Sequence, residues 1–273
     1  MINKLSKFLI FLFLPAYCFA SAKVVTSISP IASIVAMLLD EQIEVISLAN
    51  SNGCPHHHTV KLSDLSDIKT ADINIYIDKD FDYFAAKLMN INARKIIKLS
   101  DFQELKIIFN NGKPNWHLWL DLGNVEILLK KLSILFIDQF PESKQSIIKR
   151  LENSLIKISD LSRIKDNTLS DLSQILLFSD SLEYFFAYNN NVIKSDYSSN
   201  KNLNYINQFQ YILNENPFLK CLVFSTDQDT KFYNKYNKKI IQLESENWHS
   251  SKDLSNLYFT QYVKMIQLVK RCQ

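Results

Sequence analysis

Residues 141–166 read PESKQSIIKRLENSLIKISDLSRIKD, and this run decides the fold. After Pro141 it holds no proline and no glycine. Ile148, Leu151, Leu155, Ile158 and Leu161 recur every three or four positions, which is one face of an amphipathic helix. Pro141 sits where proline is welcome, in a first helical turn. At 1.5 Å per residue the helix would be about 38 Å long, roughly the width of a small domain. A rigid rod of that length in mid-chain separates an N-terminal half from a C-terminal half.

On both sides strand and helix signals alternate, which predicts α/β layering. Before the rod, strands are expected at Val24–Ile28, Ile43–Leu48, Ile73–Ile77 and Ile96–Leu99. Helices are expected at Pro30–Leu39, Leu62–Thr70 and Phe81–Met89, with helical pattern resuming near Val125. After the rod, strands are expected at Ile175–Phe178, Cys221–Phe224 and Lys239–Leu243. Helices are expected there at Leu182–Tyr188, Leu203–Leu213 and Asp253–Lys270. The predicted fold class is α/β: two α/β lobes, each a mostly parallel sheet flanked by helices, joined by one long rigid helix. The boundaries are 1–22 for a leader, 23–140 for the first lobe, 141–166 for the helix and 167–273 for the second lobe. The chain has only three glycines, which excludes Gly-rich phosphate loops and dinucleotide fingerprints.

The leader has the form of a secretory signal peptide: Lys4 and Lys7, the apolar run Phe8–Ala16, then Ala20-Ser21-Ala22 as a cleavage site. The apolar run is far short of the ~20 residues of a membrane span. Tyr17 before Cys18 argues against lipoprotein processing. Removing the two leader lysines lowers the formal net charge of +3 by two, close to neutrality. That balance implies neither a nucleic-acid nor a membrane-surface partner. Export would place the remaining cysteines, Cys54, Cys221 and Cys272, where disulfides form. A Cys221–Cys272 bond would close a loop of about 50 residues, at roughly 4 kcal/mol on the chain-entropy model, and leave Cys54 beside histidines.

Three of the five histidines lie in Cys54-Pro55-His56-His57-His58, and a fourth in Asn115-Trp116-His117-Leu118-Trp119-Leu120-Asp121. Imidazole is the commonest metal ligand. No His-Glu-x-x-His or nucleophile-elbow motif accompanies them, so binding is expected rather than catalysis.

Taken together these segments resemble the periplasmic solute-binding proteins of zinc and manganese ABC importers, most closely the ZnuA-type zinc receptors. Pro55-His56 followed by Leu62-Ser63-Asp64 is similar to that family's Pro-His…Pro-Ser-Asp segment, and His117-Leu118-Trp119-Leu120-Asp121 to its His-x-Trp-x-Asp segment. The long central helix and Phe178–Phe185 also correspond, and Cys221 and Cys272 match the disulfide pair of its zinc members. The resemblance implies a monomeric periplasmic receptor that captures Zn²⁺ in the cleft between its lobes and delivers it to a membrane permease. It implies His56 and His117 as ligands from the first lobe, with Glu244 in Leu243-Glu244-Ser245 as the carboxylate from the second. His57, His58 and His249 are expected as neighbours or surface residues, and Asp64 and Asp121 as capping or orienting groups.

Two departures bear on the ion. The family's third histidine falls on Ser179, in Phe178-Ser179-Asp180-Ser181, and a hydroxyl is a poor zinc ligand. The acid- and histidine-rich loop of many zinc members is absent. Cys54 or His58 could take the open position; a thiolate would favour zinc over manganese. The alternatives are a family member that has lost tight metal binding and keeps a structural or interaction role, and a manganese or iron carrier.

Overall fold

A computed structural model describes residues 22–49, 61–195, 203–248 and 253–273. Residues 1–21 of the expected leader, the Cys54–His58 run and His249 lie outside the described residues.

The first lobe is built on a four-stranded parallel sheet, β1 (Ala22–Ile28), β2 (Ile43–Ala49), β3 (Ile73–Tyr76) and β4 (Ile96–Lys98), in the order β2-β1-β3-β4. Its strands read as nearly continuous apolar runs because helices cover both faces. The register pairs Val24 with Val45 on one side and with Ile73 on the other. Crossovers α1 (Ser29–Ala36), α2 (Leu62–Thr70) and α3 (Tyr83–Asn92) link the strands. Pro30 opens α1, where its missing N–H costs nothing.

A hairpin follows, β5 (Ile108–Asn110) and β6 (Lys113–Asn115), which the apolar pattern does not announce. Its turn is Asn111-Gly112, with φ of 50° and 77°. Two successive positive φ values are what a tight hairpin turn requires, and Asn-Gly is the pair that tolerates them. Past it, α4 (Leu122–Gln139) leads to α5 (Lys144–Ser170). The expected rod is thus 27 residues, about 40 Å long. It starts three residues later than the pattern suggests because residues 141–143 form a 3₁₀ turn. It buries Ile147, Ile158, Leu161 and Leu169.

The second lobe repeats the design with β7 (Ile175–Leu177), β8 (Val192–Lys194), β9 (Cys221–Ser225) and β10 (Lys239–Leu243), all parallel, in the order β10-β9-β7-β8. Helices α6 (Leu203–Glu215) and α7 (Leu254–Val269) complete it. The helix expected over Leu182–Tyr188 does not form. Residues 180–182 make a 3₁₀ turn, further turns follow, and Tyr188 takes a φ of 67°. Residues 181–186 are buried throughout, and within them Tyr184 donates to the Asn115 carbonyl at 2.8 Å while Glu183 accepts from Asn110 Nδ2 at 2.7 Å, so the turns are held by the hairpin.

Cys221 and Cys272 are joined by a disulfide, tying the first residue of β9 to the C-terminal end of the chain. One hydrophobic core runs through both lobes, from Val24 and Ile75 past Trp119 and Leu161 to Val223 and Tyr262. No described helix is long and apolar enough to cross a membrane.

Candidate metal centre between the lobes

In each sheet the strand order reverses between the first and third strands of the lobe. Ligands of open parallel sheets bind beyond the carboxyl ends at that reversal. In the first lobe Phe81 and Asp82 follow β3, and in the second Ser179 follows β7 while Ser225 ends β9.

His117 stands between these two edges. It follows β6 and precedes a 3₁₀ turn over Leu118–Leu120, and it is 8% exposed. Phe81 meets its ring edge-on, with centroids 5.2 Å apart, and Trp119 packs on it at 5.3 Å. The second lobe holds the segment from behind. Trp119 Nε1 donates to the Ser245 carbonyl at 2.8 Å, Tyr258 donates to the Trp119 carbonyl at 2.6 Å, and Tyr262 to that of Leu120 at 2.8 Å.

The imidazole is held at both nitrogens. Nδ1 lies 2.8 Å from Asn115 Oδ1, and Nε2 lies 2.6 Å from Glu246 Oε1. Nε2 and Glu246 therefore meet across the interface, one from each lobe. Two donors on one tetrahedral zinc at ~2.0–2.1 Å stand about 3.3 Å apart. An ion entering here would open the contact by roughly 0.7 Å on that geometry.

The structure does not bring Glu244 to His117. Its Oε1 accepts from the backbone N–H of Glu246 at 3.1 Å and of Asn247 at 2.8 Å, and Oε2 accepts from the Thr226 hydroxyl at 2.6 Å. An acid at the head of a turn closes that turn with its own side chain. The next acid along, Glu246, is left to face the imidazole. Sequence reasoning missed it; the available signal was the second acid of Glu244-Ser245-Glu246.

Ser179 is buried in a chain of hydroxyls: Ser179 to Ser181 at 2.8 Å, Ser181 to Ser245 at 3.0 Å, and Ser245 to Ser225 at 3.3 Å. Where the resemblance puts a third imidazole, this chain has a polar relay satisfied within itself. Among the described residues no three His, Cys, Asp or Glu side chains cluster to hold an ion. Asp64 and Asp121 are helix caps. Asp64 accepts from the backbone N–H of Lys61 at 2.8 Å, and Asp121 from that of Asn124 at 2.8 Å. Gly123 leaves room for the second: a Cβ there would lie 3.0 Å from Asp121 Oδ1.

Beside Phe81, Asp82 is 1% exposed and accepts from the backbone N–H groups of Ile77 at 2.8 Å and Asp78 at 3.0 Å. Burial outweighs these bonds and pushes its carboxyl up to about 6.

Comparison with known proteins agrees with this architecture. Residues 24–267 match the family model described as "Zinc-uptake complex component A periplasmic". An uncharacterized protein of Rickettsia prowazekii is 41% identical over 273 residues, covering 99% of this chain and 90% of its own. The high-affinity zinc uptake system protein ZnuA of Haemophilus influenzae is 21% identical over 227 residues, covering 63% of this chain and 67% of its own. Among solved structures, the periplasmic zinc-binding protein TroA of Treponema pallidum superposes with a TM-score of 0.78 at 13% identity, covering 93% of this chain and 99% of TroA. The Fe(III)-bound YtgA of Chlamydia trachomatis superposes with a TM-score of 0.75 at 14% identity, covering 91% and 98%. At those identities the structural likeness speaks for the fold alone.

Proposed function

The chain belongs to the ZnuA family of periplasmic zinc-uptake components, and from that premise we propose that it captures zinc in the periplasm and delivers it to the permease of an ABC importer. The observation that carries this reading is the meeting of His117 Nε2 with Glu246 Oε1 across the lobe interface. An imidazole and a carboxylate are a donor pair that suits zinc. His56, which the sequence places between β2 and α2, is the proposed third ligand. Glu246 replaces Glu244 as the carboxylate, because the Glu244 oxygens are spent on their own turn. The fourth position is left to water or a neighbour such as Cys54 or His58. The receptor role carries no catalytic step.

Zinc titration by calorimetry on the purified protein tests the assignment. Binding near one-to-one is expected, lost in His117→Ala, His56→Ala and Glu246→Ala and retained in Glu244→Ala. Retention in Glu246→Ala together with loss in Glu244→Ala would reverse the carboxylate assignment. Competition at controlled free metal, zinc against manganese and iron, decides the cargo.

The self-satisfied serine chain at Ser179 favours one other reading, a scaffold that has lost tight metal binding and serves as an interaction protein. A wild-type protein that takes up none of the three metals would establish it.

A further inference from the structure

Asn115 makes more contacts around the site than any ligand reading asks of it. It is 6% exposed, and both ends of its amide are engaged. Oδ1 accepts from the His117 backbone N–H at 3.1 Å and faces His117 Nδ1 at 2.8 Å. Nδ2 donates to the Asp180 carbonyl at 2.8 Å and to Glu183 Oε2 at 3.2 Å. The residue's own carbonyl accepts from Tyr184 at 2.8 Å, and the Tyr184 oxygen in turn accepts from the Ile108 N–H at 2.9 Å.

These partners leave the amide one orientation. A backbone N–H can only donate, so the atom it meets is the oxygen. A carbonyl and a carboxylate can only accept, so the atom they meet is the nitrogen. The group at His117 Nδ1 is then an acceptor, and Nδ1 must carry a hydrogen. Glu183 makes the constraint firm. It is 2% exposed, its Oε2 also accepts from Asn110 Nδ2 at 2.7 Å, and its Oε1 pairs with Lys194 Nζ at 2.7 Å.

The opposite outcome is available to the ring. Glu246 Oε1, 2.6 Å from Nε2, is itself an acceptor. A neutral imidazole has one hydrogen, and Glu246 alone would draw it onto Nε2. That tautomer has no lone pair where the lobes meet.

We propose that Asn115 is a positioning residue: its amide, clamped by Glu183 and the Asp180 carbonyl of the second lobe, keeps a hydrogen of His117 on Nδ1 and so leaves Nε2, at the lobe interface, as the nitrogen that an entering ion can take. The second lobe thereby controls a ligand that belongs to the first. Partners that hold the far nitrogen of a ligating histidine typically account for ~10–100-fold in metal affinity. The affinity arm of the test rests on the proposed zinc function, while the tautomer arm rests on geometry alone.

The experiment is a pair of measurements on the purified protein. The first is a two-bond ¹H–¹⁵N correlation spectrum of the imidazoles without metal. The wild type should show His117 Nδ1 as an N–H nitrogen. Asn115→Ala should move Nδ1 to the bare-nitrogen range. The second is zinc titration, in which Asn115→Ala should bind ~10–100-fold more weakly. An Asn115→Ala protein with the wild-type Nδ1 signal overturns the proposal, as does one with wild-type zinc affinity. If Asn115→Ala does not fold, Asn115→Leu replaces it, since it keeps the volume without either polar atom. A shift of the Nδ1 signal there supports the role of the amide, and an unchanged spectrum overturns it. If the wild type binds no zinc, the proposed function fails, and the spectra still decide the role of Asn115.

Discussion

The two lobes share one sheet design and differ in what they place at its edge. Numbered within each lobe, the strand order is the same, second-first-third-fourth, and all neighbours are parallel in the first lobe; the second lobe, in the order β10-β9-β7-β8, is the same pattern read from fourth to second strand. Beyond the carboxyl ends the first lobe sets an imidazole, an aromatic ring and the buried carboxyl of Asp82. The second sets four hydroxyls, Glu246 and the Glu183 clamp. Topology therefore says where a ligand goes, and side chains say which. The second lobe also carries a covalent tie, at Cys221–Cys272.

That tie gives the largest expected effect. With a sequence separation of 51 between the cysteines, replacing both by serine should lower unfolding stability by about 4 kcal/mol on the chain-entropy model. Denaturant unfolding of the oxidised protein against the double variant measures it. A change near zero would mean that the shared core alone holds the C-terminal end.

Next is a pH effect that originates in the first lobe. Burial raises the Asp82 carboxyl from 3.8 to about 6, so the folded state holds that proton more tightly than the unfolded chain does. The stability it contributes is full below about pH 4 and is lost as pH rises through about 6, roughly 3 kcal/mol in all. Melting temperature followed from pH 4 to 7 should fall more steeply in wild type than in Asp82→Asn. Parallel curves would refute the burial argument.

Ser179→His would give the second lobe the imidazole that the family resemblance implies there. It should tighten zinc binding about tenfold or more, about 1.4 kcal/mol per decade. No gain would show that the present ligand set already completes the site. The smallest effect is expected at Asp121→Ala, which removes a helix cap and should cost about 1 kcal/mol without changing zinc affinity. A large loss of affinity there would give Asp121 a role at the metal.

Much of this was legible in the sequence. Strands β1, β3, β9 and β10 and the long helix were announced by local patterns of apolar residues, because each buries a face against a neighbouring layer. The strands β5, β6 and β8 were not. β8 has three residues behind an asparagine run, and β6 contains Pro114, which demotes a strand. The Asn111-Gly112 turn was the one sign of the hairpin. At 182–188 the apolar run suggested a helix, yet the segment folds as turns whose Glu183 and Tyr184 bond to the distant hairpin. In the site, the setting of His117 between tryptophans marked it as a candidate. Glu246, Asn115 and Glu183 carried no such mark.

From its sequence alone, this chain is a two-lobed α/β protein with a rod at its centre and a histidine at 117, facts that are local, set by periodicity and residue type over a few turns or strands. That Ser179 stands where a third histidine would fall is what the family resemblance implies. Which acid meets His117, and which nitrogen of that ring keeps its hydrogen, was decided by tertiary structure. His117 and Glu246 are 129 residues apart in the chain, and Asn115 and Glu183 are 68 apart. Only the packing of one lobe on the other brings their polar atoms within hydrogen-bonding distance, and no short-range pattern encodes that approach.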